Sequence, residues 1–413
     1  MLLKKFHILY NIISINKTVM EEILLFKIEK KGKSQMKSIN KIKIFKMILK
    51  DGPISRTDIE KTLKLSAPSV SRIVESLIKE DLVMEVGKED TYVGRKPISL
   101  IVNKNASYII GINISKSSIY ICITNLKSEI IYKDTLSIVA INNADVLLEE
   151  LDKLITASIN NAQISKDKLL GIGVASRGIL DYKSGTILKL KKGIEDVDIK
   201  RFLEERYNCV IMVENNTNTD LIGEYLINNK LSNNKKSLIY IYLGEGVGGS
   251  IICNNQLVRG KNNLAGKIGH MIIQPDGEEC YCGKKGHLEA YCSKGAIEKA
   301  YRDKKGDKNV SLTDICKMAN VKDEICVDII NNALNKIAIA VSNLLVVINP
   351  DVVVLSGEIF DYYEDALSIL KNLVKDLAFD IKLNDIDWVI RSKEKMMIEY
   401  SATALIMDKV FNV

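Results

Sequence analysis

Hydrophobic and polar positions follow two different rhythms along this chain. The first hundred residues are built mainly on a helical period. Lys41–Lys50 puts Ile42, Phe45 and Leu49 on one face and is stopped by Asp51-Gly52-Pro53. A second helix opens at Ile54-Ser55-Arg56-Thr57-Asp58-Ile59, with Ser55 as N-cap, Asp58 as its capping-box answer and Ile54 stapled against Ile59. It ends near Leu63, and Lys64-Leu65 forms a short turn. Ser66 caps a third helix that tolerates Pro68 in its first turn. Val70, Ile73, Val74, Leu77 and Ile78 then recur at the spacing of one buried stripe. Leu82–Val86 and Ile98–Val102 read as paired strands joined through Gly94-Arg95-Lys96-Pro97.

From Tyr108 the rhythm changes to apolar strands alternating with amphipathic helices, the pattern of α/β folds. Tyr108–Asn113 and Ile119–Asn125 read as a strand pair, Leu147–Asn161 as a helix and Leu170–Ala175 as a buried strand. Val210–Val213 is a strand leading into a helix from about Thr219. Leu238–Leu243 runs into a loop, Gly244-Glu245-Gly246-Val247-Gly248-Gly249-Ser250, followed by a strand at Ile251–Cys253. Helix Ile329–Ile348 ends at Asn349-Pro350, and strand Val352–Leu355 leads into Ser356-Gly357. These rhythms divide the chain into an extension at 1–35, a small domain of three helices and a strand pair at 36–103 and an α/β module at 104–413.

Helix, tight turn and a second helix with small polar groups near its start form the helix-turn-helix pattern, and the strand pair adds a wing. The face opposite the apolar stripe carries Ser69, Ser71, Arg72, Ser76 and Lys79. Small residues permit close approach to a major groove, while Arg72 reaches a base edge or a phosphate. Ser55, Arg56, Ser66, Ser69, Ser71, Arg72 and Lys79 are the candidate DNA contacts, with Arg95 and Lys96 at the wing tip. Charge supports this reading. The first hundred residues hold 20 Lys and Arg against 12 Asp and Glu, whereas the remainder holds 39 against 40. The net charge of +7 is therefore concentrated beside the predicted helix-turn-helix, as a polyanion partner requires. A solvated basic face or a protein-contact domain is the competing reading.

At 413 residues, with 46% hydrophobic and 27% charged, the chain has ordinary globular composition. Its eight cysteines follow no disulfide framework, and no cleavable signal peptide is read. Both features predict a reducing, cytoplasmic setting. The apolar run Phe6–Ile15 is too short to span a bilayer, so no membrane partner is expected. Met20 and Met36 are alternative starts.

Two of the three histidines bracket a Cys-x-Cys pair: Gly269-His270, then Cys280-Tyr281-Cys282-Gly283-Lys284-Lys285-Gly286-His287-Leu288-Glu289. Imidazoles and thiolates suit a tetrahedral zinc ion, and Gly283 and Gly286 supply a turn that folds His287 back toward the cysteines. The expected ligands are His270, Cys280, Cys282 and His287, the motif spanning 270–287. The alternative is two buried cysteines beside unrelated histidines.

These motifs, together with Ser55-Arg56, Leu65-Ser66 and Val70-Ser71 within Ile54–Leu82, resemble the ROK family of repressors and sugar kinases from about Met36 onward, on the side of its xylose-repressor-type members. The resemblance implies a winged helix-turn-helix followed by a two-lobed, actin-like (ribonuclease H-like) α/β module, with a sugar cleft between lobes and ATP, where bound, beside it. Departures from the family pattern mark the branch. Kinase members open the first lobe with Asp-x-Gly-Gly-Thr, where this chain has Asn113-Ile114-Ser115-Lys116-Ser117. The family's Gly-Thr-Gly becomes Gly244-Glu245-Gly246. The catalytic Asp of Glu-Asn-Asp-x-Asn becomes Asn216 in Glu214-Asn215-Asn216-Thr217-Asn218, and an amide is no general base. No catalytic residue and no ATP are therefore expected.

The resemblance further implies effector contacts from Asn215, Asn216, Lys267, His270 and Glu289. His270 would use one ring nitrogen for zinc and the other for a sugar hydroxyl. Lys267 replaces a family glutamate and His287 a family cysteine. With an acid also lost at Asn216, the pocket gains positive character and favours an anionic effector such as a sugar phosphate or sugar acid. The competing reading pairs Lys267 with Glu289. Four protein ligands make zinc structural. The expected protein is a homodimeric or homotetrameric repressor of carbohydrate genes that binds operator DNA and a sugar-type effector. A sugar kinase with an appended DNA-binding domain and a zinc- or redox-responsive regulator are the alternatives.

Overall fold

The computed structural model describes residues 33–87, 98–227, 236–307, 309–379, 382–392 and 398–411. They fall into two compact units, one drawn from Met1–Glu214 and Ala402–Val413, the other from Asn215–Ser401.

The first unit begins with helices Lys33–Asp51, Arg56–Leu63 and Ala67–Lys79. Three short strands complete a winged helix: β1 (Ile54–Ser55), β2 (Val83–Val86) and β3 (Ser99–Val102), in the order β1-β3-β2. The first helix starts at Lys33, earlier than the apolar period at Lys41 indicates, because a polar helical turn leaves no hydrophobic signature. β1 pairs Ile54 with Leu100 and Ser55 with Ser99, a strand too short for periodicity to show. The second helix is capped as expected: Ser55 Oγ accepts from the Asp58 amide at 3.2 Å and donates to Asp58 Oδ2 at 2.7 Å. Val70, Ile73, Val74 and Leu77 are buried in one stripe, with Ile78 half-buried at its edge. The wing connection, including Arg95 and Lys96, lies outside the described residues.

Beyond the wing, β4 (Tyr108–Ile114), β5 (Ser118–Asn125), β6 (Ile130–Ser137) and β7 (Leu169–Ser176) lead to a small antiparallel sheet and then to a fifth strand of the main sheet. The small sheet comprises β8 (Ile179–Asp181), β9 (Thr186–Lys191) and β10 (Ile194–Val197). β11 (Val210–Asn215) completes a main sheet ordered β11-β7-β4-β5-β6. Every residue of β7 is buried, as its unbroken apolar run requires for a strand covered on both faces. Helix Ala144–Asn161, capped by Asn143, buries Leu147, Leu151, Leu154 and Ile155. A core cluster in this unit joins winged-helix residues Phe45, Ile48 and Val83 to Ile109, Leu126, Ile406 and Val410.

The second unit holds β12 (Leu238–Leu243), β13 (Val247–Cys253), β14 (Gln256–Leu257), β15 (Val352–Gly357) and β16 (Asp387–Arg391), ordered β14-β13-β12-β15-β16. Each five-stranded sheet thus repeats one topology: a three-stranded meander whose first strand pairs in parallel with the fourth. That duplicated α/β topology is the two-lobed module expected. Along β12, Ile239, Ile241 and Leu243 face the main core while Leu238 and Tyr240 face the other side, the period of two of a strand. Helix Glu324–Ile348 is long and apolar enough to cross a membrane by composition, but most of that apolar stretch is buried in the main core.

Two expectations are corrected. The helix after β11 begins at Asn216 rather than about Thr219. β13 begins at Val247, so Gly248-Gly249 lies inside a strand rather than a loop. Those glycines answer close packing: a Cβ on Gly248 would stand 2.5 Å from Thr217 Cγ2, and one on Gly249 2.6 Å from Ile268 Cδ1.

Candidate zinc centre, effector site and DNA-binding surface

His270 closes the short helical turn Ile268–His270, and a bridge between Ile272 and His287 brings the two ends of the motif together. Gly283 and Gly286 adopt φ values of 80° and 75°, the left-handed conformation that reverses the chain after the cysteines. The result is one cluster. Ligand atoms of His270, Cys280, Cys282 and His287 all lie within 4.8 Å of one another. His270 Nδ1 is 3.3 Å from His287 Nδ1 and 3.9 Å from Cys280 Sγ, and Cys282 Sγ is 3.2 Å from His287 Nδ1. Tetrahedral zinc, with Zn–N near 2.0–2.1 Å and Zn–S near 2.3 Å, has ligand–ligand edges of about 3.3–3.8 Å. The donor set fits the ion, and the His270–His287 nitrogen separation matches one such edge. Burial lowers the pKa of His270, which favours the neutral ring a metal needs.

Sequence reasoning missed Tyr281. Its hydroxyl stands 3.3 Å from His270 Nε2, the nitrogen expected to face a sugar. The tight Cys-x-Cys turn sets the intervening ring beside the imidazole, with centroids 5.6 Å apart, so the Tyr281 hydroxyl and a sugar hydroxyl would compete for that nitrogen.

Of the expected effector residues, Glu289 stands beside Gly269, where a Cβ would meet its Oε2 at 2.9 Å, and the charges of Glu289 and Lys267 both act on His270. Glu289 Oε2 accepts from the Val247 amide at 3.1 Å, which anchors the carboxylate to the start of β13. Asn215 and Asn216 stand where β11 passes into helix Asn216–Ile227. Asn215 Oδ1 accepts from the Thr217 amide at 3.1 Å and from its hydroxyl at 2.7 Å. Thr217 Oγ1 also lies 3.1 Å from the Gly249 carbonyl, and Ser250 Oγ donates to Asn218 Oδ1 at 2.7 Å. Thr217 and Asn218 are thus framework residues, inside a motif already read but without a signal for that role. Lys267 is exposed, Asn216 half-buried and Asn215 buried.

At Gly244-Glu245-Gly246 the nearby charge is already internally matched. Lys294 Nζ lies 3.2 Å from Glu358 Oε1, Thr313 donates to Glu358 Oε2 at 2.9 Å, and the Lys294 amide donates to the Gly244 carbonyl at 2.8 Å.

On the winged helix, Ser66, Arg72 and Lys79 are exposed, and Ser69 and Ser71 half-buried. Ser66 Oγ donates to Ser69 Oγ at 2.9 Å. Arg56 Nη2 pairs with Glu85 Oε1 at 2.6 Å. Ser55 departs from its expected place on the DNA-facing surface: it is 7% exposed and its hydroxyl is committed to the cap.

Comparison with known proteins places these features in context. The ROK family model matches residues 109–395, and a model for winged helix-turn-helix DNA-binding domains matches residues 37–84. The xylose repressor of Bacillus spizizenii is 30% identical over 344 residues, 83% of this chain and 88% of that protein. A crystal structure of a ROK family transcriptional regulator, a homologue of the E. coli MLC protein, superposes with a TM-score of 0.78 at 21% identity, covering 92% of this chain and all of that one. A ROK family glucokinase from Streptomyces griseus, in complex with glucose and AMPPNP, gives a TM-score of 0.59 at 20% identity over 73% of this chain and 99% of that one.

Proposed function

The chain belongs to the ROK family, and from that premise we propose that it is a sugar-responsive, DNA-binding repressor of carbohydrate genes. One observation carries the reading: a winged helix-turn-helix precedes a ROK module, and Asn216 stands where the family resemblance puts the kinase base. The DNA-binding domain is assigned to 36–103 and the ROK module to 104–413. Arg72, Ser71, Ser69 and Ser66 approach base edges from the recognition helix, while Arg56 and Lys79 serve the backbone. Arg95 and Lys96 are assigned to the wing. Two-fold operators call for a homodimer or a dimer of dimers in the cytoplasm.

The effector is a sugar or sugar derivative held by Asn215, Asn216, Lys267, His270 and Glu289. His270, Cys280, Cys282 and His287 hold zinc, which cross-links the loop when bound and is left without an open position for a catalytic water. Phosphoryl transfer lacks its base at Asn216, and Glu245 places a carboxylate where phosphates would approach. The test is direct. A duplex selected from a random library by the full-length protein is titrated by fluorescence anisotropy with and without D-xylose, D-glucose, N-acetylglucosamine and the hexose 6-phosphates. Sugar-dependent loss of a nanomolar complex is expected. Sequence-independent DNA binding that no sugar alters would overturn the reading.

A further inference from the structure

Arg391, at the end of β16, is 6% exposed, and its charge is spent inside the second unit. Its Nη1 lies 2.8 Å from Asp220 Oδ1, its Nε 3.6 Å from Glu224 Oε2, and its Nη2 donates to Ser401 Oγ at 2.9 Å. Tyr240, fully buried on β12, donates its hydroxyl to Asp220 Oδ2 at 3.2 Å. Asp220, Glu224 and Ser401 are each less than one-tenth exposed. A buried cluster of this kind adds little net stability over an apolar core of the same shape, because desolvation offsets the ion pairs. What such clusters supply is a defined arrangement.

The elements it ties together are not arbitrary. Asp220 and Glu224, four residues apart, share one face of helix Asn216–Ile227, whose start carries the effector positions Asn215 and Asn216. Ser401 lies in the first turn of the last helix, Ile398–Phe411. Further along that continuous helix, Ile406 and Val410 are buried with Phe45, Ile48, Val83 and Leu100 of the winged helix, and the Asp408 charge acts on Lys46 of the first helix.

We propose that Arg391 is a positioning residue that couples the effector helix to the DNA-binding domain through Ser401 and the last helix. Each link is a direct side-chain contact or a continuous helix: Asn215–Asn216, Asp220 and Glu224, Arg391, Ser401, then Ile406 and Val410 in the winged-helix core. The proposal rests on the sugar-responsive repressor reading.

The test uses full-length protein and two variants. Ser401→Ala removes a single hydrogen bond, and Asp220→Asn keeps a hydrogen-bonding group while weakening the ion pair. Calorimetry measures sugar affinity over the panel above, and anisotropy measures affinity for the selected duplex with and without the binding sugar. In wild type, sugar shifts duplex affinity by about 5–150-fold, the usual range of coupling between sites. The variants are expected to keep sugar affinity and sugar-free duplex affinity within about threefold, while the coupling factor falls toward one, a separation that a purely structural role does not produce. Wild-type coupling in both folded variants would overturn the proposal and leave the repressor reading standing. Absence of any sugar heat with wild type would overturn the effector reading and this proposal with it. If Asp220→Asn fails to fold, Ser401→Ala alone decides.

Discussion

His270 and His287 face each other through like atoms, their Nδ1 nitrogens 3.3 Å apart. At that distance at most one of the two nitrogens carries a proton, and the separation matches an edge of a tetrahedron around a shared zinc ion. Cys280 and Cys282 supply the other two corners of the same cluster.

Protein purified without chelator is expected to carry about one zinc per chain, and cobalt substituted for it should show four-coordinate ligand-field absorption. Cys282→Ser or His287→Ala should reduce the metal content below about one-tenth and lower the melting temperature, since metal binding and folding of such loops are linked. Full zinc occupancy in both variants, measured by mass spectrometry of the metal, would remove these residues from the ligand set.

Arg72→Glu should weaken binding to the selected duplex by at least about tenfold, since one well-placed base contact is worth about 1–3 kcal/mol and the substitution adds repulsion. Ser55→Ala tests the opposite case. It should cost about 1 kcal/mol of stability through the lost cap and leave the affinity of the folded protein nearly unchanged. Anisotropy and thermal melts on the same samples separate the two; a selective affinity loss at Ser55 would return it to the DNA surface.

Gly269→Ala should damage the proposed effector site without altering any of the four proposed metal ligands. A Cβ there would stand 2.3 Å from the Val247 carbonyl oxygen and 2.9 Å from Glu289 Oε2. Backbone cannot yield cheaply, so the substitution should cost about 1–3 kcal/mol and displace Glu289 from the Val247 amide. A melt within 1 °C of wild type, with unchanged sugar affinity, would show that this approach is slack.

No sugar-dependent ADP release is expected from the wild-type chain with any hexose of the panel, and Asn216→Asp alone should not create it. The amide lacks a base, but restoring one leaves Glu245 and the Lys294–Glu358 pair in place. Turnover in the single variant would show that only the base had been lost.

The charges of Lys267 and Glu289, which both act on His270, also bear on effector charge. Lys267→Glu should shift preference from sugar 6-phosphates toward neutral sugars by about tenfold or more, as an added carboxylate accepts from hydroxyls and repels phosphate. Calorimetry with both classes checks it, and unchanged selectivity would assign Lys267 to a partner within the protein.

The sequence by itself determined the winged helix and the loop that gathers the His and Cys side chains. An apolar stripe at Val70, Ile73, Val74 and Leu77 and a cap at Ser55 act over one or two helical turns, so their consequences are local. The spacing of Cys280, Cys282 and His287 is likewise local, and only His270 arrives from a turn upstream. Several features were decided by tertiary packing instead. β1 exists because β3 offers two pairing partners, and Gly248 and Gly249 read as loop residues until Thr217 and Ile268 are packed against them. The duplicated sheet order and the Arg391 cluster join residues as far apart as Asp220 and Arg391, for which no one-dimensional period exists. Periodicity reports which face of an element is buried; what is buried against it depends on chain closure over long separations, and that only the folded molecule specifies.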